Sequence, residues 1–232
     1  MSSPRLIRSI REYRFLIDRG YNPESALRLV ENRYVLSRLE RDILYRGVHT
    51  KQHDEKVKAA FMRGMRELEQ GNPNILIDFI NVVTTIIEII DRSVISIGSD
   101  GLLRDHAKVL GRSKKTAEEI RNACRLIGKT LPDKRLVLVS EKNYPYSELK
   151  AGECARVIGA NAYYIVVDKV DSYLIKASIE EKIIVATSDS VIIEKAPLIV
   201  DLPCMVARDY LSLNENVVDI EDIIYGLENQ FY

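Results

Sequence analysis

Two hydrophobic patterns divide the chain. Leu6, Ile7, Ile10, Tyr13, Phe15, Leu16 and Ile17 recur at helical spacing until Gly20, a residue that ends helices by entering the left-handed region without a Cβ clash. Asn22-Pro23-Glu24 reopens a helix with a capping residue, a proline at the first position and an acid in the first turn. Ser37-x-x-Glu40 is a capping box before Leu39, Ile43 and Leu44, with Gly47 as the stop. A polar connection over 49–53 leads into a charged helix over 54–70, which Gly71-Asn72-Pro73 ends. From Asn74 the pattern changes: aliphatic runs at 74–78, 135–139, 163–167, 183–186 and 198–200 alternate with helical stretches at 82–90, 112–129, 145–158 and 171–179. A short extended piece at 94–97, a helix from Pro203 and an amphipathic helix at 219–227 complete the reading. Continuous apolar runs separated by helices predict strands buried on both faces of a parallel sheet, joined by right-handed crossovers. The expected class is α/β: a small helical domain over 1–71, then over 72–232 a three-layer α/β/α domain with a mainly parallel five-stranded sheet. The short capped helices of the front read as a bundle in preference to a helix-turn-helix.

Four of these runs end in an acid: Asp78, Glu141, Asp168 and Asp189. In a parallel sheet the carboxyl ends of the strands share one edge, where open α/β folds bind ligands. Taken singly, each acid also reads as a turn starter or a helix cap; taken together, like charges so close call for a cation among them. Asn81, one helical turn beyond Asp78, can share a metal or order its water, and Thr187-Ser188-Asp189-Ser190 sets hydroxyls around a carboxylate. Gly98-Ser99-Asp100-Gly101 and Arg104-Asp105 make a glycine-framed acidic loop. It lacks the Gly-Lys-Ser/Thr ending of a phosphate-cradling loop, and its acids would attract magnesium where they repel phosphate. Arg112-Ser113-Lys114-Lys115 places cations at an expected helix start, where they oppose the dipole and gain little for folding.

Net charge is zero over 232 residues, but residues 1–71 carry 15 Lys and Arg against 10 Asp and Glu, leaving 19 against 24 for the rest. An arginine-rich helical module beside an acidic one fits a nucleic-acid partner or a solvated basic face. The 29% charged and 46% hydrophobic content excludes disordered and fibrous classes. Cys124, Cys154 and Cys204 show neither disulfide nor zinc spacing and read as small core residues in a reducing cytosol. Arg5, Arg8, Arg11 and Arg14 with no apolar core region after them give no secretory signal, and the apolar stretch 75–90, broken by Asp78, Asn81 and Glu88, is too short and polar to span a bilayer, so a cytoplasmic protein without membrane contact is expected. His49 and His53 are four apart, yet with no third ligand near in sequence they read as solvated. His106 reads as a surface group, and Tyr144, Tyr146, Tyr163 and Tyr164 as packing residues that also have faces for stacking bases.

The segments Leu-Ile-Asp78-Phe-Ile-Asn81 and Ala-Thr187-Ser188-Asp189-Ser190 make the back two-thirds resemble the PIN-like nuclease superfamily. The front, through Tyr13-Arg14-Phe15-Leu16-Ile17-Asp18-Arg19-Gly20-Tyr21 and Asn32-Arg33-Tyr34, looks like the helical domain that precedes such a module in a largely archaeal family. The resemblance implies Asp78 as central metal ligand, Asp189 as an acid of the fourth strand, and further acids from the loop holding Asp100 and Asp105. The chain departs from the pattern at Phe79, commonly glycine, and at Ser140-Glu141, where an Asp is common. The chemistry so implied is metal-assisted phosphodiester hydrolysis: Asp78, Asn81, Asp105 and Asp189 in catalysis, and Mg²⁺ or Mn²⁺ held among Asp78, Asp100, Asp105, Asp189, Glu141 and Asp168. Arg104, Lys108, Arg112, Lys114, Lys115, Ser188 and Ser190 would meet the nucleic acid, with RNA favoured by analogy and 5′-phosphate and 3′-hydroxyl product ends. A homodimer fits the amphipathic C-terminal helix. The competing reading is a binding or scaffold protein that kept the fold without the chemistry; a response regulator or aspartate-nucleophile phosphatase would need acids that are absent around the first strand.

Overall fold

The computed structural model describes residues 3–71, 73–111, 114–211 and 216–226. The front helices are α1 (Pro4–Asp18), α2 (Pro23–Tyr34), α3 (Arg38–Gly47) and α4 (Lys51–Gln70). Their starts are set by local chemistry: Ser3, Asn22, Ser37 and Thr50 each accept an amide of the first turn, and Ser37 with Glu40 completes the capping box. Thr50 opens α4 earlier than the polar pattern suggests, so His53 lies in the helix and not in a linker.

Then follow β1 (Asn74–Asp78), α5 (Phe79–Ile90), β2 (Ile95–Ile97), β3 (Leu103–Asp105), α6 (Ala117–Thr130), β4 (Arg135–Glu141), α7 (Ser147–Ile158), β5 (Ala162–Val167), α8 (Val170–Glu180), β6 (Ile184–Ala186), α9 (Ser190–Lys195), β7 (Ile199–Val200), α10 (Leu202–Tyr210), β8 (Val217–Asp219) and α11 (Ile220–Tyr225). The five expected strands form one all-parallel sheet in the order β5-β4-β1-β6-β7. The chain builds outward from β1 on one side and then crosses to the other. The reversal leaves a crevice at the carboxyl ends of β1 and β6, the position at which open α/β sheets take ligands.

Strand alternation sorts the apolar residues into two layers. Ile75, Ile77, Leu136, Leu138, Ile184 and Ala186 pack with α5, α6, α7 and α10 residues on one face. Leu76, Val137, Val139, Val185 and Ile199 pack with Val57 and Ala60 of α4 and with α8 and α9 on the other. The helix α4 thus belongs to the sheet as much as to the front. It crosses β7 at Gly64, where a Cβ would come within 2.1 Å of the carbonyl oxygen of Ile199.

A second sheet, β3-β2-β8, takes up the extended piece expected at 94–97 as β2, whereas β3 and β8, three residues each, leave too short a pattern to recognise. Val218 and Ile220, with Ile223 and Ile224, join the core of the front helices, so the end of the described chain closes over its beginning. Among the described residues no helix is long and apolar enough to cross a membrane.

Candidate active site

Asp78 ends β1 and stands at the cap position of α5, yet its carboxylate makes no capping hydrogen bond to that helix. Its Oδ2 instead accepts from Nδ2 of Asn81 at 2.7 Å and from Oγ1 of Thr187 at 2.7 Å. Helix α5 begins directly at Phe79, not at 82, which puts Asn81 in its first turn and within reach. Phe79 itself is fully buried, its ring packed in the opposite layer.

Burial pushes the Asp78 carboxyl up to about 6, against the pull of the Asn81 and Thr187 hydrogen bonds, and the charges of Asp189 and Asp171 push in the same direction. Asp171, in the first turn of α8, is raised by partial burial and then by Asp189 and Glu141. Four carboxylates are therefore linked in pairs across the carboxyl edge: Asp78 from β1 with Asp189 beyond β6 and with Asp171 from α8, and Asp171 with Asp189 and with Glu141 from β4. Register explains the set. Asp78 lies opposite Val139, a residue of the second layer, and Glu141 two residues on points to the same side.

Asp168 is outside this set. It falls on the opposite parity to Val167, is solvent-exposed, and stands 3.9 Å from Lys142. Asp171, which supplies the acid in its place, is missed by reading strand ends alone. Its signal is Val170-Asp171 at a helix start, and that signal becomes useful only once α8 is known to cover the same face as Asp78.

Asp189 is held by its surroundings. Its amide donates to Oγ1 of Thr187 at 3.0 Å, and its Oδ1 caps α9 by accepting from Val191 at 2.8 Å. Ser188 is buried; its Oγ is 3.0 Å from Oγ1 of Thr85, which is 2.9 Å from Oδ2 of Asp105. Asp105 is joined to the edge by this hydroxyl relay, its other oxygen accepting from the amide of Ala107 at 3.0 Å. Thr85 has no sequence signal beyond being a polar residue in an apolar helix.

The remaining residues lie elsewhere. Asp100 is buried in the β2–β3 turn, and its Oδ2 takes Nη2 of Arg104 at 2.6 Å. Arg104 is fully buried, so a nucleic-acid contact by this side chain is ruled out by packing. Lys115 is ion-paired with buried Glu88. Lys108 and Lys114 are exposed, Ser190 is exposed, and Arg112 and Ser113 lie outside the described residues. The Thr116–Glu119 capping box starts α6, so Lys114 and Lys115 precede the helix, where Lys115 is offset by its Glu88 partner.

His49 and His53 are not solvated; both rings are largely buried beside Asp100, and burial lowers both imidazoles, His49 to about 4. His106 is buried too, with Nδ1 2.7 Å from Oδ2 of Asp42 and Nε2 3.0 Å from Oγ of Ser96. Lys150 covers the ring of Tyr144 and Arg135 that of Tyr163, each at 4.8 Å, while Tyr146 and Tyr164 are exposed.

The strand-end donors are hard oxygens, which suit Mg²⁺ or Mn²⁺. Among the described residues, the group of three potential ligands with atoms all within 4.8 Å of one another is His49, His53 and Asp100. The strand-end acids are more widely spread.

Comparison with known proteins gives relatives without a stated activity. Residues 5–59 match the family described as "Protein of unknown function (DUF434)". The chain is 28% identical over 203 residues to "Uncharacterized protein MJ0935" of Methanocaldococcus jannaschii, covering 82% of this chain and 91% of that protein. No solved structure matches the chain. Residues 67–205, which contain β1 to β7 and all four strand-edge acids, match a second model, and the chain belongs to that family, described as "Domain of unknown function (DUF5616)".

Proposed function

We propose that the chain is a metal-dependent nuclease of the PIN-like kind, hydrolysing phosphodiester bonds with RNA favoured over DNA. One observation carries the reading. Asp78 is buried at the crevice between β1 and β6, leaves its own helix uncapped, and is raised by burial and by neighbouring acids. A carboxylate kept at such cost to stability points to a cation. Asp78 and Asp189, with Asp171 and Glu141 beside them, would hold Mg²⁺ or Mn²⁺. The bound ion supplies positive charge for the phosphoryl oxygens and a more acidic water.

The chain's own residues do the rest. Asn81 and Thr187 fix Oδ2 of Asp78, Thr187 also fixes the backbone at Asp189, and the exposed Lys108 and Lys114 can neutralise a nucleic-acid backbone without reading sequence. The wide spacing of the acids supports a second reading, a nucleic-acid-binding protein without chemistry.

The two separate in one assay. Labelled single-stranded RNA, single-stranded DNA and duplexes are incubated with the native chain and with Asp78→Asn, in Mn²⁺ or Mg²⁺ and in chelator. The nuclease cleaves only as the native chain with metal and leaves a 5′ phosphate. Binding that persists in chelator and in the variant, with no cleavage by either, makes the second reading the correct one.

A further inference from the structure

Two imidazoles and a carboxylate meet where α4 starts and the β2–β3 turn comes up against it, sharing no residue with the strand-end acids. His49 precedes the capping Thr50 and His53 follows one turn later; their rings stack with centroids 4.3 Å apart at 24°. Oδ2 of Asp100 is 3.9 Å from Nε2 of His49 and 4.0 Å from Nε2 of His53. Those distances are too long for hydrogen bonds. They suit groups drawn around a common centre, since each of the three offers a ligand atom within 4.8 Å of the other two. Nε2 of His53 is buried with no hydrogen-bond partner, whereas buried polar atoms are normally satisfied.

The surrounding structure holds the three in place. The amide of His49 donates to Oγ of Ser99 at 3.0 Å, Oγ of Ser99 donates to Asp54 at 2.8 Å, and the amide of Ser99 donates to the carbonyl of Gly47 at 2.7 Å. Arg104 orients the Asp100 carboxylate through its 2.6 Å bond, as outer partners of metal-bound carboxylates do. Asp201, buried on the other side of this turn, accepts from the amide of Leu103 at 2.7 Å and from that of Cys204 at 2.9 Å, which fixes the strand that carries Arg104. A cavity of about 350 Å³, lined by Tyr13, Thr50, His49, His53, Val191 and Glu194 among others, gives access from solvent.

The geometry points to a binding site for a zinc-class transition-metal dication, ligated by His49, His53 and Asp100 and open to a water on the cavity side. Two imidazoles with one carboxylate select such ions over magnesium, which prefers oxygen. Binding at Nε2 of His49 displaces its 3.1 Å contact with the carbonyl of Arg46 and moves the ring proton to Nδ1. The ion would clamp the start of α4 to the β2–β3 turn, and Val191 and Glu194 of α9 place the cavity next to the helix that Asp189 caps.

The test uses the native chain, which has three histidines in all. Nitrogen-15 spectra of the ring nitrogens are recorded after chelator treatment and during titration with Zn²⁺. One equivalent should shift the ring signals of His49 and His53, while His106, occupied by Asp42 and Ser96, serves as the unmoved control. Mg²⁺ should move none of them, and Asp78→Asn should respond as the native chain does, which keeps this site independent of the proposed nuclease centre. The His53→Gln chain should retain about one Zn²⁺ fewer after dialysis. Unshifted ring signals, or shifts that grow without saturating, overturn the assignment.

Discussion

In the folded chain the Asp78 carboxyl titrates near 6, above its ordinary 3.8, because burial disfavours its charge. A raised acid favours the native state while protonated; that contribution is complete below the unfolded value and is lost as pH rises through about 6. Above pH 6 the ionised group costs about 3 kcal/mol, since each tenfold change in proton affinity corresponds to roughly 1.4 kcal/mol. Asp78→Asn keeps acceptors for Asn81 and Thr187 and carries no charge. The variant should therefore be more stable than the native chain to urea at pH 7.5 and close to it at pH 4. Saturating Mn²⁺ should stabilise the native chain and leave the variant unchanged, because an ion bound only to the native state adds stability by mass action. A variant less stable than the native chain at pH 7.5 without metal would mean that the ionised carboxylate is well accommodated and needs no cation.

Among the elements, the parallel sheet is legible in the sequence because uninterrupted aliphatic runs such as Ile75-Leu76-Ile77 and Leu136-Val137-Leu138-Val139 have no other economical reading in a chain of this length. Asp78, Glu141 and Asp189 are legible with them, as the residues at which those runs stop. Which acid follows β5 is not: Asp168 and Asp171 both sit between strand and helix, and only the parity of Val167 and the course of α8 decide for Asp171. The β2–β3–β8 sheet escapes because it pairs residues 95–97 with 217–219, more than a hundred positions apart. The meeting of His49 and His53 with Asp100 escapes for the same reason, since sequence gives the pair but not the turn that faces it. A sequence pattern also cannot show that α4 and β7 touch backbone to backbone at Gly64. Gly64→Ala introduces a methyl group 2.1 Å from a carbonyl oxygen that cannot rotate away. Helix α4 must then lift from the sheet, and overpacking of this kind costs about 1–3 kcal/mol. Thermal unfolding should show a clear drop in Tm, where a surface Gly→Ala in a helix would show a rise. An unchanged or higher Tm would rule out so close an approach.

Across the molecule, Arg14 is the junction. Buried in α1, its guanidinium meets Asp18 at 2.5 Å, Asp54 of α4 at 2.6 Å and Oη of Tyr225 of α11 at 2.8 Å, while Oδ1 of Asp54 takes Ser99 of the β2–β3 turn at 2.8 Å. Three stretches of chain meet at one charge, and Asp54 ties in a fourth. Arg14→Met leaves Asp54 buried without its counter-ion, a change worth about 3–5 kcal/mol. Adding Asp54→Asn should recover part of the loss, and equilibrium denaturation of the single and double variants measures both. A double variant no better than Arg14→Met would show that packing, not charge, holds the junction.

The same closed arrangement brings the front helices against α9, with Ser190, Val191 and Glu194 lining one cavity together with Tyr13, Arg46 and His49. If the carboxylates of the second layer act together on a phosphodiester, two exposed acids three residues apart must behave differently. Asp171 faces the cluster and Asp168 does not. Both side chains are accessible, so neither change to Asn should harm folding, and a common Tm verifies this. Rates of RNA cleavage in Mn²⁺ should fall at least about tenfold for Asp171→Asn, corresponding to about 1.4 kcal/mol in the barrier, and stay at the native value for Asp168→Asn. Equal rates for Asp171→Asn and the native chain, or an equal fall for both variants, would contradict a shared metal site at this edge.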